Sequence, residues 1–157
     1  MPIDTAVAPL VKSVTVACSV DRAFTLFTDR IADWWPLATH SVGATAAESV
    51  TIEPHVGGRI VETLTDGSEH VWGTITAWEP SRRLAFSWHP GRPDVEATHV
   101  EVTFVALGAA TELTLVHTGW QSVSGGAGRR AGYDTGWDGV LASLVASVRG
   151  SDPVPGC

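Results

Sequence analysis

Between residues 49 and 118 the chain alternates short strand-like runs with tight turns, at a spacing of about ten residues. The runs are 49–55, 59–65, 70–79, 82–88, 98–107 and 111–118. Gly57-Gly58, Asp66-Gly67, Glu79-Pro80-Ser81 and Gly108-Ala109-Ala110 are the turns. Regular spacing with such turns leaves no room for crossover helices, so it predicts an antiparallel meander. A first strand at 14–18 precedes it. Ser19 or Asp21 then caps a short helix with Ala23, Phe24 and Phe27 on one face. A second short helix is expected over 30–35, stopped by Pro36, because the residue before a proline avoids the α region. Residues 37–47 form a loop long enough to line a mouth.

The chain ends differently. Tyr133, Trp137, Val140, Leu141, Leu144, Val145 and Val148 fall at helical spacing, and Gly150 and Pro153 would stop that helix. A sheet of this size exposes an apolar face, and one long amphipathic helix is the element left to cover it. The fold class expected is α+β: a curved six- to seven-stranded antiparallel sheet wrapped around a long C-terminal helix, with two short helices after the first strand. At 157 residues with no repeat or linker the chain reads as one domain, with its core at about 10–150 and 151–157 as a flexible tail. Strand parity turns Val100, Val102, Phe104, Leu113, Leu115 and His117 toward the helix, with Leu84, Phe86 and Trp88. In 70–79 parity is ambiguous: Trp72 and Trp78 lie on one side, Val71 and Ile75 on the other.

Composition narrows the function classes. A formal charge of −7 with ten Lys and Arg makes nucleic acid a poor partner. No apolar run approaches the roughly 18 residues of a membrane span, and Met1 to Lys12 does not read as a signal peptide. A cytoplasmic location without membrane partner is therefore expected. Cys18 reads as a buried thiol, Cys157 lies in the tail, and a disulfide is not expected. No Cys/His grouping has zinc-site spacing, so neither metal nor cofactor is expected.

The stretches Phe24-Thr-Leu-Phe27, Trp34-Trp35-Pro36, Glu53-Pro-His-Val-Gly-Gly58-Arg59, Gly73-Thr-Ile-Thr-Ala-Trp-Glu-Pro80, Leu84-Ala-Phe-Ser-Trp88, Thr111-Glu-Leu-Thr-Leu115, His117-Thr-Gly-Trp120 and Tyr133-Asp-Thr-Gly-Trp137 occur in that order. Together they resemble the Hsp90-ATPase-activator-like branch of the START/Bet v 1 superfamily, the helix-grip fold, over about residues 10–150. The resemblance implies a deep cavity between sheet and C-terminal helix. It implies no reaction, because relatives include binding proteins, polyketide aromatase/cyclases and a co-chaperone domain.

Seven tryptophans are the main candidates for function, as core filling or as cavity lining. Trp34 and Trp35 are adjacent, so on a helix they diverge by about 100° and one is expected at a rim. The expected ligand contacts are Phe24, Trp35, Trp72, Phe86, Trp88, His117, Trp120, Tyr133 and Trp137. The acid–base candidates are His117, His40 and Glu62, set against a satisfied core histidine, a solvated loop residue and a register that leaves Glu62 in water. Gly125-Gly126-Ala-Gly128 reads as a flexible connector rather than a phosphate loop. Gly132, Gly136 and Gly139 make a smooth stripe, from composition bias or as a contact face for another helix or chain, which admits a homodimer. The function expected is binding of a small hydrophobic or aromatic molecule. The alternatives are an aromatase/cyclase or hydrolase acting in the same cavity and an Hsp90-type chaperone partner.

Overall fold

The computed structural model describes residues 8–148. The strands are β1 (Leu10–Val16), β2 (Ala47–Ile52), β3 (Arg59–Leu64), β4 (Glu69–Glu79), β5 (Arg83–Trp88), β6 (Thr98–Leu107) and β7 (Ala110–Thr118). The helices are α1 (Val20–Phe27) and α2 (Gly126–Val148). The strands form a single antiparallel sheet in the order β1-β7-β6-β5-β4-β3-β2. It is the curled sheet and long C-terminal helix of the helix-grip class. The expected tail, the stop at Gly150 and Pro153, and Cys157 lie outside the described residues.

Local chemistry explains the order of elements. The Ser19 hydroxyl accepts from the Arg22 amide at 3.2 Å, capping α1. Helix α1 then buries Ala23, Phe24, Leu26 and Phe27. The expected second short helix contracts to a 3-10 turn, Ile31–Asp33. Both indoles that follow are buried, so neither Trp34 nor Trp35 stands at an exposed rim. Off a helix the two rings can go opposite ways: the Trp34 N–H donates to the Leu26 carbonyl and the Trp35 N–H to the His40 carbonyl. Trp34 joins Phe27 in the core.

Parity in β5, β6 and β7 is as the alternation predicts, with Leu84, Phe86, Trp88, Val100, Val102, Phe104, Leu113, Leu115 and His117 buried. The β4 ambiguity resolves differently. Trp72 and Ile75 are both inside, one from each expected face, because the β3–β4 register shifts by a bulge between Ile60 and Val61. Gly73 permits this, since a Cβ there would overlap the Ser87 carbonyl oxygen. On β3, where the choice lay between Val61 and Glu62, both are buried.

Helix α2 starts seven residues before Tyr133, at Gly126. From Gly126 on, the expected connector is therefore part of the helix. Gly126 is buried because its backbone runs against Trp120, and a Cβ would overlap the Trp120 carbonyl. The helix buries Trp137, Val140, Leu141 and Leu144. Its outer side is tied to β1: the Lys12 ammonium lies 2.5 Å from Asp134 and 3.0 Å from Asp138.

Candidate functional site

The three acid–base candidates come to lie in three different environments. Glu62 is fully buried, and its carboxylate is an acceptor for the mouth loop. Its Oε1 accepts from the Val42 amide at 2.9 Å and from the Trp72 indole at 2.9 Å. Its Oε2 accepts from the Gly43 amide at 2.8 Å. Charge-assisted bonds of this kind are among the strongest in proteins. Glu62 therefore clamps the loop before β2 onto the sheet.

His117 is also fully buried, and both ring nitrogens are engaged. Nδ1 accepts from the Trp137 indole N–H at 3.0 Å. An indole N–H can only donate, so Nδ1 carries no proton and the proton sits on Nε2. Nε2 then donates to the Thr98 hydroxyl at 2.6 Å, which donates to the Trp88 carbonyl at 3.2 Å. Burial, followed by the charge of Arg129, lowers the imidazole pKa to about 3. The ring is sandwiched beside Trp120 and Tyr133, with centroids at 4.0 and 5.0 Å. It is a neutral strut between sheet and helix.

His40 is half-exposed, in the loop that Glu62 holds. Its Nδ1 pairs with the Thr39 hydroxyl at 2.7 Å. Among the described residues no hydrogen bond engages Nε2. The ring lies against the glycine stripe: a Cβ on Gly139 would sit 3.5 Å from His40 Cε1 and Nε2. The stripe expected as a contact face for another chain is thus partly covered by this loop.

These placements define an open cleft of about 540 Å³, within the range of small-molecule sites. It lies at the mouth, between the flank of α2 and the loops carrying His40 and Gly91. Trp35, Trp88, Tyr133 and Trp137 wall it. Their rings are in contact, with Trp88 and Trp137 centroids 5.5 Å apart and Trp35 6.0 Å from each. His40, Arg92 and Arg129 supply polar groups, and Gly132 and Gly136 give a flat floor. Of the other expected ligand contacts, Phe24, Trp72, Phe86, His117 and Trp120 sit in the core behind this wall. Trp120, one of these, is fully buried, its N–H bonded to the His117 carbonyl.

Arg129, which the sequence reading passed over, matters here together with Trp88, an expected ligand contact. The Arg129 side chain is 10% exposed, and the Trp88 residue 4%. Trp88 Nε1 and Arg129 Nη1 are buried donors with no hydrogen-bond acceptor. Tyr133 is close enough to Trp88 to interact with its N–H, without completing that bond. Burial raises the Tyr133 phenol pKa and lowers that of the Arg129 guanidinium. Arg129 keeps its charge regardless, and the phenol keeps its proton. Only the net helix-period pattern could have flagged Arg129, one turn before Tyr133, and its burial depends on the helix beginning early. Among the described residues no group of three His, Cys, Asp or Glu could hold a metal ion. No helix among them is long and apolar enough to cross a membrane.

Comparison with known proteins follows the same lines. The family described as activator of Hsp90 ATPase homolog 1-like protein matches residues 17–149. The anthrahydroquino-Gama-pyrone synthase Txn09, solved in complex, is similar at 34% identity over 88% of this chain and 90% of that one, with a TM-score of 0.58. CalU16 from Micromonospora echinospora is 26% identical over 94% of this chain and 77% of that one, with a TM-score of 0.62. The Aha1 dimer from Colwellia psychrerythraea shares the fold at 16% identity, over 88% of this chain and 93% of that one, with a TM-score of 0.62. No curated protein sequence matches the chain.

Proposed function

The chain belongs to the activator of Hsp90 ATPase homolog 1-like protein family, and on that premise we propose that it binds a small, flat aromatic molecule in the cleft beside α2. The observation that carries this is the wall of Trp35, Trp88, Tyr133 and Trp137 around about 540 Å³ of open volume. Aromatic faces set at angles offer stacking and edge contacts to a planar ring. Burying a three-ring aromatic there removes apolar surface from water at about 25 cal/mol per Å² before the costs of association. The 34% identity to a synthase named for a fused aromatic product supports the same ligand class. Titration of intrinsic tryptophan fluorescence with 9,10-anthraquinone tests it. Saturable quenching is expected in the wild type, weakened at least tenfold by Trp137→Leu. An unchanged spectrum at the solubility limit rejects the reading.

A second reading makes the bound aromatic a substrate for ring closure, as favoured by that synthase. The acid–base group on the cleft wall is then His40, whose Nε2 is unengaged, and not His117, whose nitrogens are both bonded. His40→Gln should leave anthraquinone binding within about twofold while removing ring-closing turnover of an open-chain precursor. Equal turnover by both proteins would exclude His40 from that role.

A further inference from the structure

We propose that the cleft selects aromatic ligands bearing an anionic oxygen, which docks between the Arg129 guanidinium and the Trp88 indole N–H. This rests on the aromatic-binding reading above and specifies its ligand class. The starting point is a mismatch. Buried polar groups in folded proteins almost always have partners, and each one left without costs about 1–3 kcal/mol. Among the described residues three buried side-chain donors lack an acceptor, and two of them, Trp88 Nε1 and Arg129 Nη1, belong to residues lining this one cleft. The indole is fixed by its ring contacts with Trp35, Trp72 and Trp137, so it cannot turn its N–H elsewhere.

The fixed charges of the cleft lining are all positive. Its charged lining is Arg92 and Arg129, with no carboxylate among the residues that form it. This is notable in a chain of net charge −7. Glu96 meets both arginines, at 3.0 Å from Arg92 and 4.0 Å from Arg129, and its backbone carbonyl accepts from Arg129 Nη2 at 3.4 Å. Glu96 lies outside the lining and is a third exposed, and its carboxylate stands 4.0 Å from Arg129 Nη1, an ion pair too long to give that nitrogen a hydrogen bond. The Tyr133 phenol adds a further donor beside Trp88. A neutral hydrocarbon would leave all of these unsatisfied. A carboxylate or ionised phenol on the edge of a stacked ring would satisfy them, with a charge-assisted bond to the guanidinium.

The test compares 9,10-anthraquinone-2-carboxylate with its 2-carboxamide on the intact protein at neutral pH, by tryptophan fluorescence and calorimetry. The two probes share shape and ring system and differ in charge. The expected result is a preference of about tenfold or more for the carboxylate, reduced to about twofold or less in Arg129→Met while carboxamide affinity stays within about threefold. Trp88→Phe, which keeps an aromatic ring and deletes the N–H, should reduce carboxylate affinity several-fold. Equal affinities of the wild type for both probes overturn the inference and leave the aromatic-binding reading standing. A carboxylate preference that survives Arg129→Met also overturns it. If neither probe binds, both readings fail together.

Discussion

At the scale of single residues, the buried polar groups divide into structural and available ones by counting donors and acceptors. His117 has one donor and one acceptor, which uses both ring nitrogens, and Glu62 meets three donors with no exposed surface, so neither is open to a ligand. The distinction was half visible in the sequence. Parity turned His117 inward, but nothing local revealed that a tryptophan twenty residues later would supply its donor. Glu62 was undecidable, because alternation assumes an unbroken ladder and the bulge at β3–β4 breaks it. His117 gives a direct prediction. Its folded pKa of about 3 lies below the ordinary 6.5, so between those values the unfolded chain binds more protons. Its contribution is therefore complete above pH 6.5 and is lost as pH falls toward 3, with a slope approaching about 1.4 kcal/mol per pH unit. Urea unfolding should show a falling midpoint from pH 7 to pH 5. The His117 imidazole signal in NMR should stay that of a neutral Nε2–H ring down to about pH 4; titration of that signal near pH 6.5 in the folded protein would contradict the network.

At the scale of elements, the periodic signals were legible and the glycines were not. Ten-residue spacing located every strand of the meander, and 3.6-residue spacing located α2 from Tyr133 onward. The first two turns were missed because Gly126, Gly128 and Gly132 lower helix propensity by about 1 kcal/mol each. Composition there suggested looseness, while the actual cause at Gly126 is close packing on Trp120. The stretch 30–35 contracts to the 3-10 turn Ile31–Asp33, after which the two adjacent indoles part, Trp34 bonding to the Leu26 carbonyl and Trp35 to the His40 carbonyl. The glycines of α2 can be told apart by substitution. Gly126→Ala drives a methyl into the Trp120 carbonyl and should destabilise the protein by about 2–4 kcal/mol, as overpacking against rigid backbone does. Gly128→Ala meets nothing within 4 Å and should stabilise it by about 0.5–1 kcal/mol, through helix propensity and a stiffer unfolded chain. Chemical denaturation of the two variants checks this, and similar effects from both would mean the helix does not begin where it is described.

At the scale of the whole molecule, the cleft follows from where the sheet closes. The first strand pairs with the last, so α2 leaves β7 next to β1 and is fastened on that side by Lys12 to Asp134 and Asp138 and by Arg130 to the carbonyls of Ala8 and Pro9. Its other flank meets the loop that Glu62 clamps and, through Arg129, the carbonyl of Glu96, and the open volume lies along that flank. The two sides should be thermodynamically separable. A ligand that binds only the folded state at one hundred times its Kd adds about 2.7 kcal/mol. In a domain of this length each kcal/mol moves Tm by about 2–4 °C, so saturation with a cleft ligand should raise Tm by about 5–10 °C. Lys12→Met breaks ion pairs whose aspartates are half or more exposed, and should lower Tm by no more than a few degrees. Because Lys12 contacts α2 on the face away from the cleft, the ligand increment should be unchanged in that variant. Scanning calorimetry of both proteins, with and without 9,10-anthraquinone-2-carboxylate, measures the two terms at once. If the Lys12→Met substitution also removed the ligand increment, the fastened edge and the cleft would be one cooperative unit, and the helix flank would not be the independent site that its geometry describes.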